Sequence, residues 1–214
     1  MTGDRLFYGL LWLALIGYAL LLAPPPAPDT LERITALALL DTSRVDPAAI
    51  AVFNLLGVLP TAFLAILLYD TGRPSPWPFA LGGYVLGGIV LLPYLALRDT
   101  RKPLDPAPGR FGRAAGSRIT GGVLLLVTAG LLGYGLVAGS PAVYAEQARH
   151  DQFLAVMGAD LIALTVALHR AAATDRRRRA ITLAGPLATL VRVPLLGPLL
   201  YLASRPPPAT MAAP

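Results

Sequence analysis

The chain has 214 residues, of which 55% are hydrophobic and 14% charged, and its formal net charge is +6. A soluble domain carries about 25% charged residues, so this composition leaves too little polar surface for a globule in water. There is no cysteine, which excludes disulfides, iron–sulfur clusters, thiolate metal sites and a cysteine nucleophile. The basic residues lie in short runs between apolar segments, which indicates membrane topology rather than nucleic-acid binding.

Long apolar runs dominate the chain from its first residues onward. A run that can cross about 30 Å of hydrocarbon predicts a transmembrane helix. The first run follows Arg5 as in a signal peptide, but it lacks a cleavage pattern and ends at Pro24, which favours an uncleaved anchor. The sequence therefore predicts an all-α, polytopic transmembrane bundle of five to six spans in one domain, 1–205, with spans at about 6–23, 47–69, 79–97, 119–137, 152–169 and 181–203.

Three segments need separate interpretation. Residues 29–40 are amphipathic but too short to span, which predicts an interfacial helix. Residues 181–203 contain three prolines, so they are predicted to form either a kinked span or a re-entrant hairpin of two short pieces. Residues 206–214 are predicted to be a disordered tail. The sequence has no convincing internal repeat, which argues against a duplicated transporter fold.

Basic residues predict the topology. They concentrate in the segments 98–118 and 170–179, which flank the fourth and fifth spans and therefore share one side. The positive-inside rule makes that side cytoplasmic. With six spans, both termini are then expected on the other side, while Arg33 and Arg44 join the cytoplasmic side.

Three polar residues fall within apolar segments, namely Asn54, Asp160 and Arg192. An ionised side chain at membrane depth costs roughly 2.5–3.5 kcal/mol and needs a partner or water. Because a short loop joins the last two spans, an Asp160–Arg192 ion pair is predicted. The pair either fixes helix register or forms a ligand, proton or pigment site, and a further alternative is that Arg192 snorkels to the interface. Asn54 is predicted to make an interhelical hydrogen bond.

Two spans carry glycine faces, formed by Gly83 and Gly87 in the third and by Gly130 and Gly133 in the fourth. Small residues at this spacing predict close helix packing, and the alternative is contact with a flat pigment or lipid. Aromatic side chains near span ends, including Tyr94 and Tyr201, are expected to form an interfacial belt.

His150 and His169 bracket the fifth span. A helix of that length separates them by about 28 Å, so they cannot share one metal or haem. Each is a weak candidate ligand for the magnesium of a chlorophyll, and a plain interfacial histidine is the simpler interpretation. No haem or metal site and no catalytic motif is evident in the sequence, which favours a function other than an enzyme.

Three ordered stretches resemble an uncharacterised family of polytopic membrane proteins of cyanobacteria and plant chloroplasts. They are Phe53-Asn54-Leu55-Leu56-Gly57 with Pro60, then Trp77-Pro78-Phe79 leading to Leu92-Pro93-Tyr94 and Arg98, then Pro194-Leu195-Leu196-Gly197-Pro198 with Tyr201 and Arg205-Pro206. The resemblance covers about residues 46–206, and an aspartate similar to Asp160 lies in the family's penultimate helix. It implies a photosynthetic (thylakoid) or bacterial inner membrane.

Three functions follow as hypotheses. The first is an accessory or assembly protein of a photosynthetic membrane complex, in contact with lipid and photosystem subunits, with chlorophyll or carotenoid as candidate pigments. The second is a carrier or enzyme for a small lipophilic molecule that uses Asp160 and Arg192. The third is a purely structural membrane protein. The second predicts a polar cavity lined by Asn54, so a water-filled cavity at Asp160 favours it, and a dry ion pair with an exposed glycine face favours the others.

Overall fold

The computed structural model describes residues 3–106 and 108–206, and this part of the chain contains helices and no strand. Four helices are long and apolar enough to cross a membrane, judged by length and composition. They are α1 (Gly3–Gly17, continued by a π-helical turn over Tyr18–Leu22), α3 (Pro47–Leu67), α7 (Arg118–Val137) and α9 (Gln152–Arg178). The shorter helices are α2 (Thr30–Ala38), α4 (Pro76–Leu86), α5 (Gly88–Leu97), α6 (Arg110–Ala115), α8 (Pro141–Ala148), α10 (Gly185–Leu190) and α11 (Leu196–Ser204).

Capping side chains explain where the long helices begin. The Asp46 carboxylate accepts the N–H of Ala48 at 2.7 Å, with proline at the first helical position. Asp151 caps α9 in the same way by accepting the N–H of Leu154 at 3.0 Å. Helices are thus confirmed within the predicted segments 6–23, 29–40, 47–69, 119–137 and 152–169. Helix α9 continues beyond its apolar part to Arg178.

The four long helices alternate in direction. Helices α1 and α9 are antiparallel, because Arg170 meets Asp4 at one end and Gln152 donates to the carbonyl of Ala19 at the other. Helices α3 and α7 are antiparallel as well, because the N–H of Ser140 donates to Asp46. One end of the bundle therefore holds Asp4, the end of α3, the start of α7 and the end of α9, and we call it the basic end.

Residues 76–97 form a hairpin, so the prediction of a span at 79–97 is wrong. Phe79 contacts Tyr94 with ring centroids 5.1 Å apart, and Gly83 faces Leu91, so α4 and α5 lie side by side. The chain reverses at Gly87, whose φ of 52° is accessible to glycine at little cost. Both hairpin ends lie at the basic end, where Trp77 meets Phe111 and Arg98 pairs with Asp70.

Residues 181–203 hold two short helices, α10 and α11, which agrees with the hairpin alternative for this segment. Leu195, with a φ of 63°, separates α11 from α10. Helix α11 packs on α7 and returns to the basic end, where Arg118 donates to the carbonyl of Arg205 at 2.9 Å. The predicted tail at 206–214 lies, apart from Pro206, outside the described residues.

The two halves of the chain share one order of elements, although no internal repeat is convincing in the sequence. Each half has a long helix, a short helix, a second long helix and a hairpin: α1, α2, α3, α4–α5, then α7, α8, α9, α10–α11. Equivalent packing recurs, since α1 contacts α5 as α7 contacts α11, and α2 contacts α3 as α8 contacts α9. The repeat escapes detection in the sequence because few identical residues carry it.

Those few residues lie where each hairpin ends. Tyr94-Leu95-Ala96-Leu97-Arg98 matches Tyr201-Leu202-Ala203-Ser204-Arg205 at every position but one. Asp70 accepts hydrogen bonds from Tyr94 at 3.5 Å and from Arg98 at 3.3 Å. Asp175 accepts the equivalent bonds from Tyr201 at 2.8 Å and from Arg205 at 2.6 Å. Each half therefore anchors its hairpin to an aspartate near the end of its second long helix. These tyrosines are buried, so they do not belong to an interfacial belt.

The direction of the helices also corrects the expected topology. The start of α1 lies at the basic end, because Asp4 pairs with Arg170 at 2.7 Å. The expectation that the N-terminus lies opposite the basic loops is therefore wrong. Arg33 pairs with Asp151 at the start of α9, so it lies at the opposite end from segment 170–179, and Arg44 follows it there.

Candidate functional site at the tip of the first hairpin

The tip of the first hairpin places free backbone groups deep in the bundle. Helix α5 starts at Gly88, halfway along the neighbouring helices, and its first N–H groups have no partner within the helix. The N–H of Gly88 donates to Oδ1 of Asp160 at 2.8 Å. Asp160 lies in the middle of α9 and is 7% exposed. An ionised carboxylate is also stabilised at this position by the positive end of the α5 dipole.

A second side chain holds the same tip. The indole Nε1 of Trp12 in α1 donates to the carbonyl of Ile89 at 3.0 Å. A buried carbonyl without a partner is costly, because the bundle offers it no water. Asp160 and Trp12 together satisfy one donor and one acceptor of the interrupted helix, so α9 and α1 fix the tip from two directions.

Glycine is required at the tip by space as well as by backbone conformation. A Cβ on Gly87 would collide with the Asp160 carboxylate, and a Cβ on Gly83 would come within 2.7 Å of Leu91. The face formed by Gly83 and Gly87 is therefore used inside the hairpin and against α9. Gly130 and Gly133 differ, since within the described part of the chain no atom outside their own helix lies within 4 Å of a Cβ built on either.

A cavity of about 270 Å³ adjoins the Asp160 carboxylate. Its walls are mostly apolar and come from α1, α3, α4 and α9, with Leu15, Phe53, Tyr84 and Phe153 among the lining side chains. Asp160 is the one charged residue among the described residues that line it. One oxygen of Asp160 is committed to Gly88, so the other is available to a cation or a hydrogen-bond donor in the cavity.

The structure does not bring Asp160 and Arg192 together, so the predicted ion pair is wrong. Arg192 is exposed and lines a different cavity, at the basic end, together with His169 and Arg176. The partner of Asp160 is a backbone N–H instead. Asp46 caps α3 as Asp151 caps α9, so Leu55 lies as far from the start of α3 as Asp160 lies from the start of α9. Leu55 is buried, so the repeat does not require a carboxylate at this position.

The other predicted polar residues lie outside this cavity. Asn54 donates to the carbonyl of Ile50 within its own helix at 2.8 Å, so the predicted interhelical hydrogen bond is not formed. His150 is exposed and lies 3.1 Å from Glu146 at the end opposite the basic end. His169 lines the cavity at the basic end, so the two histidines are far apart, as predicted. Within the described ranges, no group of three or more acidic, histidine or cysteine side chains could hold a metal ion.

Two buried ion clusters stand at the basic end. In one, Asp70 pairs with Arg98 and Arg178, and in the other, Asp175 pairs with Arg179 and Arg205. Both aspartates are nearly inaccessible, and all their charge is matched within the protein. Because each aspartate ties the end of a hairpin to a long helix through these ion pairs, we assign the clusters to holding the hairpins in place.

Sequence reasoning missed Gly88 and Trp12 as parts of the site. A signal for the first was present: the adjacent pairs Gly82-Gly83 and Gly87-Gly88 lie between Pro78 and Pro93, which is unusual for an unbroken helix. Nothing local distinguishes Trp12 from an interfacial tryptophan. Comparison with known protein families, curated proteins and solved structures finds no match, so the site is interpreted from its own geometry.

Proposed function

We propose that this chain is an integral membrane carrier for a small lipophilic molecule that bears a cationic or hydrogen-bond-donating group, and that Asp160 holds that group. The observation that carries the proposal is the mostly apolar cavity of about 270 Å³, in which Asp160 is the single charged residue among the described lining residues. Such a carboxylate is expensive at membrane depth, and an ionisable residue there is typical of a substrate or ion path. Arg192 has no part in this site.

The proposed membrane setting rests on the long helices and on what their outer faces expose. Large apolar side chains point away from the core, including Leu21 at 82%, Val85 at 83% and Val137 at 89% exposure. Of the basic residues, Arg33, Arg44 and Arg149 lie at the end opposite the basic end, and the other described arginines and the lysine lie towards it. The positive-inside rule therefore favours a cytoplasmic basic end, with segments 98–118 and 170–179 inside.

The repeat supports a carrier over an enzyme. Carriers are often built from two halves, and their substrate sites lie near the bilayer midplane beside interrupted helices. Here an interrupted helix begins at Gly88 and faces Asp160. Among the described residues, the titratable groups that line the cavity are Asp160 and the phenol of Tyr84, and the phenol contacts the hydroxyl of Thr61 at 2.6 Å.

Carbodiimide labelling tests the site directly. Dicyclohexylcarbodiimide is an apolar reagent that enters membranes and adds to protonated carboxyl groups, and mass spectrometry of peptides locates the adduct. We expect it to label Asp160 in the detergent-solubilised protein and to leave Asp70 and Asp175 unlabelled, because arginines cover them. Dodecyltrimethylammonium should slow the labelling at least about tenfold, a difference worth about 1.4 kcal/mol, and dodecanesulfonate should not, and neither probe has an amine or carboxyl group that reacts with the carbodiimide.

Asp160→Asn is the matched control, because it keeps the shape of the side chain and removes the reactive carboxyl. Labelling is measured at acidic and at neutral pH, because only the protonated carboxyl reacts, and Asp160 that stays unlabelled at both would show that the cavity is closed to membrane-soluble molecules. Equal protection by the cationic and the anionic probe would show that the carboxylate does not select its ligand by charge. Either result contradicts the proposal.

An accessory or assembly role in a photosynthetic membrane complex is a second candidate. It is supported by the resemblance of residues 46–206 and by the outer face of α7, where Gly130 and Gly133 meet no other side chain. Gentle extraction of the tagged protein, followed by absorption spectroscopy and mass spectrometry, tests it. Co-purifying chlorophyll or photosystem subunits would support this role, and a colourless, solitary protein would contradict it.

A further inference from the structure

We propose that the cavity between α9 and the second hairpin is a binding site for the anionic headgroup of a membrane lipid, independent of the site at Asp160. The cavity has a volume of about 510 Å³ and lies at the basic end. His169, Arg176, Arg177 and Arg192 line it, and no carboxylate does so among the described residues.

The arginines of this cavity differ from their neighbours in having no counter-charge. Arg178 and Arg179, which follow directly in α9, pair with Asp70 and Asp175. In the part of the chain that the structure describes, neither Arg176 nor Arg192 makes an ion pair. Arg177 donates to the hydroxyl of Thr174 at 3.0 Å, a neutral partner. In the basic run 176–179, Arg178 and Arg179 are therefore held in structural ion pairs, whereas Arg176 and Arg177 are free to bind an anion.

His169 adds a further unused group to the cavity. Its Nε2 atom is covered by protein atoms and has no hydrogen-bond partner among the described residues. A buried ring nitrogen without a partner costs free energy, and a turn of the ring towards the cavity would let it bond to an oxygen of a bound headgroup or a water. Guanidinium groups bind phosphate with two parallel hydrogen bonds, so a phosphate is the chemistry that this set of side chains fits best.

The surface below the cavity indicates a lipid rather than a free anion. Ile162, Val166, His169, Ala173 and Arg176 follow one another at helical spacing on one face of α9. Ile162 is 68% exposed and Val166 is 42% exposed, so an apolar stripe runs from the middle of α9 to the charged cavity. On the other side, Leu190 and Val193 of the second hairpin are also exposed. An acyl chain along this stripe would place its phosphate among the arginines.

Thermal unfolding in a neutral detergent tests the proposal with defined probes. We compare dioctanoyl phosphatidylglycerol, dioctanoyl phosphatidylcholine and inorganic phosphate at equal concentrations. Phosphatidylglycerol should raise the unfolding temperature, and phosphatidylcholine should not. In the double variant R176Q/R192Q the affinity for phosphatidylglycerol should fall about tenfold to thirtyfold, since each basic residue near a lipid surface contributes about 1 kcal/mol.

The double variant R101Q/R110Q is the matched control, because it removes two exposed charges from the same end of the protein but outside the cavity. It should keep the full response to phosphatidylglycerol. An unchanged response in R176Q/R192Q, or an equal response to both lipids, would overturn the site. An equal response to inorganic phosphate would overturn the assignment to a lipid. None of these outcomes depends on the carbodiimide reaction at Asp160.

Discussion

Gly88 and Asp160 lie 72 positions apart in the chain, and the N–H of Gly88 donates to the Asp160 carboxylate at 2.8 Å. This hydrogen bond ties the tip of the first hairpin to the middle of α9. It explains how a charged residue is tolerated in an apolar helix, because the interrupted helix supplies both a donor and the positive end of its dipole. The same arrangement leaves one carboxylate oxygen beside the cavity.

Replacing Asp160 should therefore destabilise the hairpin tip. In Asp160→Leu the N–H of Gly88 stays buried without an acceptor, which should lower the free energy of unfolding by about 1–3 kcal/mol. Asp160→Asn retains an acceptor oxygen and should lose less. Thermal unfolding in detergent, followed by tryptophan fluorescence, measures the difference. Equal losses in the two variants would contradict the assigned hydrogen bond.

Gly87→Ala should be costly, since the new methyl group would collide with Asp160 and the backbone there has a φ of 52°. The backbone alone contributes about 1–3 kcal/mol, because φ 52° with ψ −130° lies outside the regions that residues with a Cβ adopt, and the collision adds to it. Gly130→Ala is the matched control, because a Cβ at that position meets no atom within 4 Å. Circular dichroism melts should show a lower unfolding temperature for the first variant and an equal or higher one for the second.

Trp12→Phe should remove the donor to the Ile89 carbonyl while keeping most of the apolar contact. The expected loss is about 1 kcal/mol of unfolding free energy. Because Trp12 lies at the tip, this variant should also reduce the protection of the Gly88 and Ile89 amides from hydrogen exchange. Trp77→Phe, at the basic end of the hairpin, should leave that protection unchanged, and a loss there would contradict the local role of Trp12.

The buried ion clusters should be sensitive to the loss of one partner. Arg205→Leu removes a donor to Asp175, but Asp175 keeps its ion pair with Arg179, so the loss should be about 1–3 kcal/mol. The double variant Arg205→Leu/Asp175→Asn should lose more than Arg205→Leu alone, because it leaves Arg179 buried without a counter-charge, and less than the sum of the two single losses, because the two residues interact. Arg110→Leu, on the exposed surface, should change the unfolding free energy little. Additive losses in the double variant would contradict the pairing.

The long helices could be predicted from the sequence because uninterrupted apolar runs leave few alternatives. Their starts were also predictable where Asp46 supplies a cap before a proline. The first hairpin could not be predicted, because residues 79–97 are long enough and apolar enough to cross. Only the backbone reversal at Gly87 shows that they do not, and a glycine pair by itself is equally common in helices that pack closely.

The candidate site was predicted in part. Asp160 stood out as a charge in an apolar run, but its partner is a backbone N–H that an intact helix would not offer. Reasoning from side chains alone paired it with Arg192, the nearest unassigned charge of opposite sign. The repeat was missed for a related reason: Asp70 and Asp175 are equivalent through their hydrogen bonds to Tyr94 and Tyr201, which connect segments distant in sequence.

The measurement that tests the central claim most directly is the side of the membrane from which single introduced cysteines are labelled. The natural chain has no cysteine, so each variant carries one reactive thiol. Ser75→Cys and Lys102→Cys flank the first hairpin, and Ala145→Cys lies at the opposite end of the bundle. We would label each in sealed membrane vesicles with an impermeant maleimide. The hairpin predicts that positions 75 and 102 react from one side and position 145 from the other. Labelling of positions 75 and 102 from opposite sides would mean that α4 and α5 cross the membrane, and it would contradict the site at Asp160.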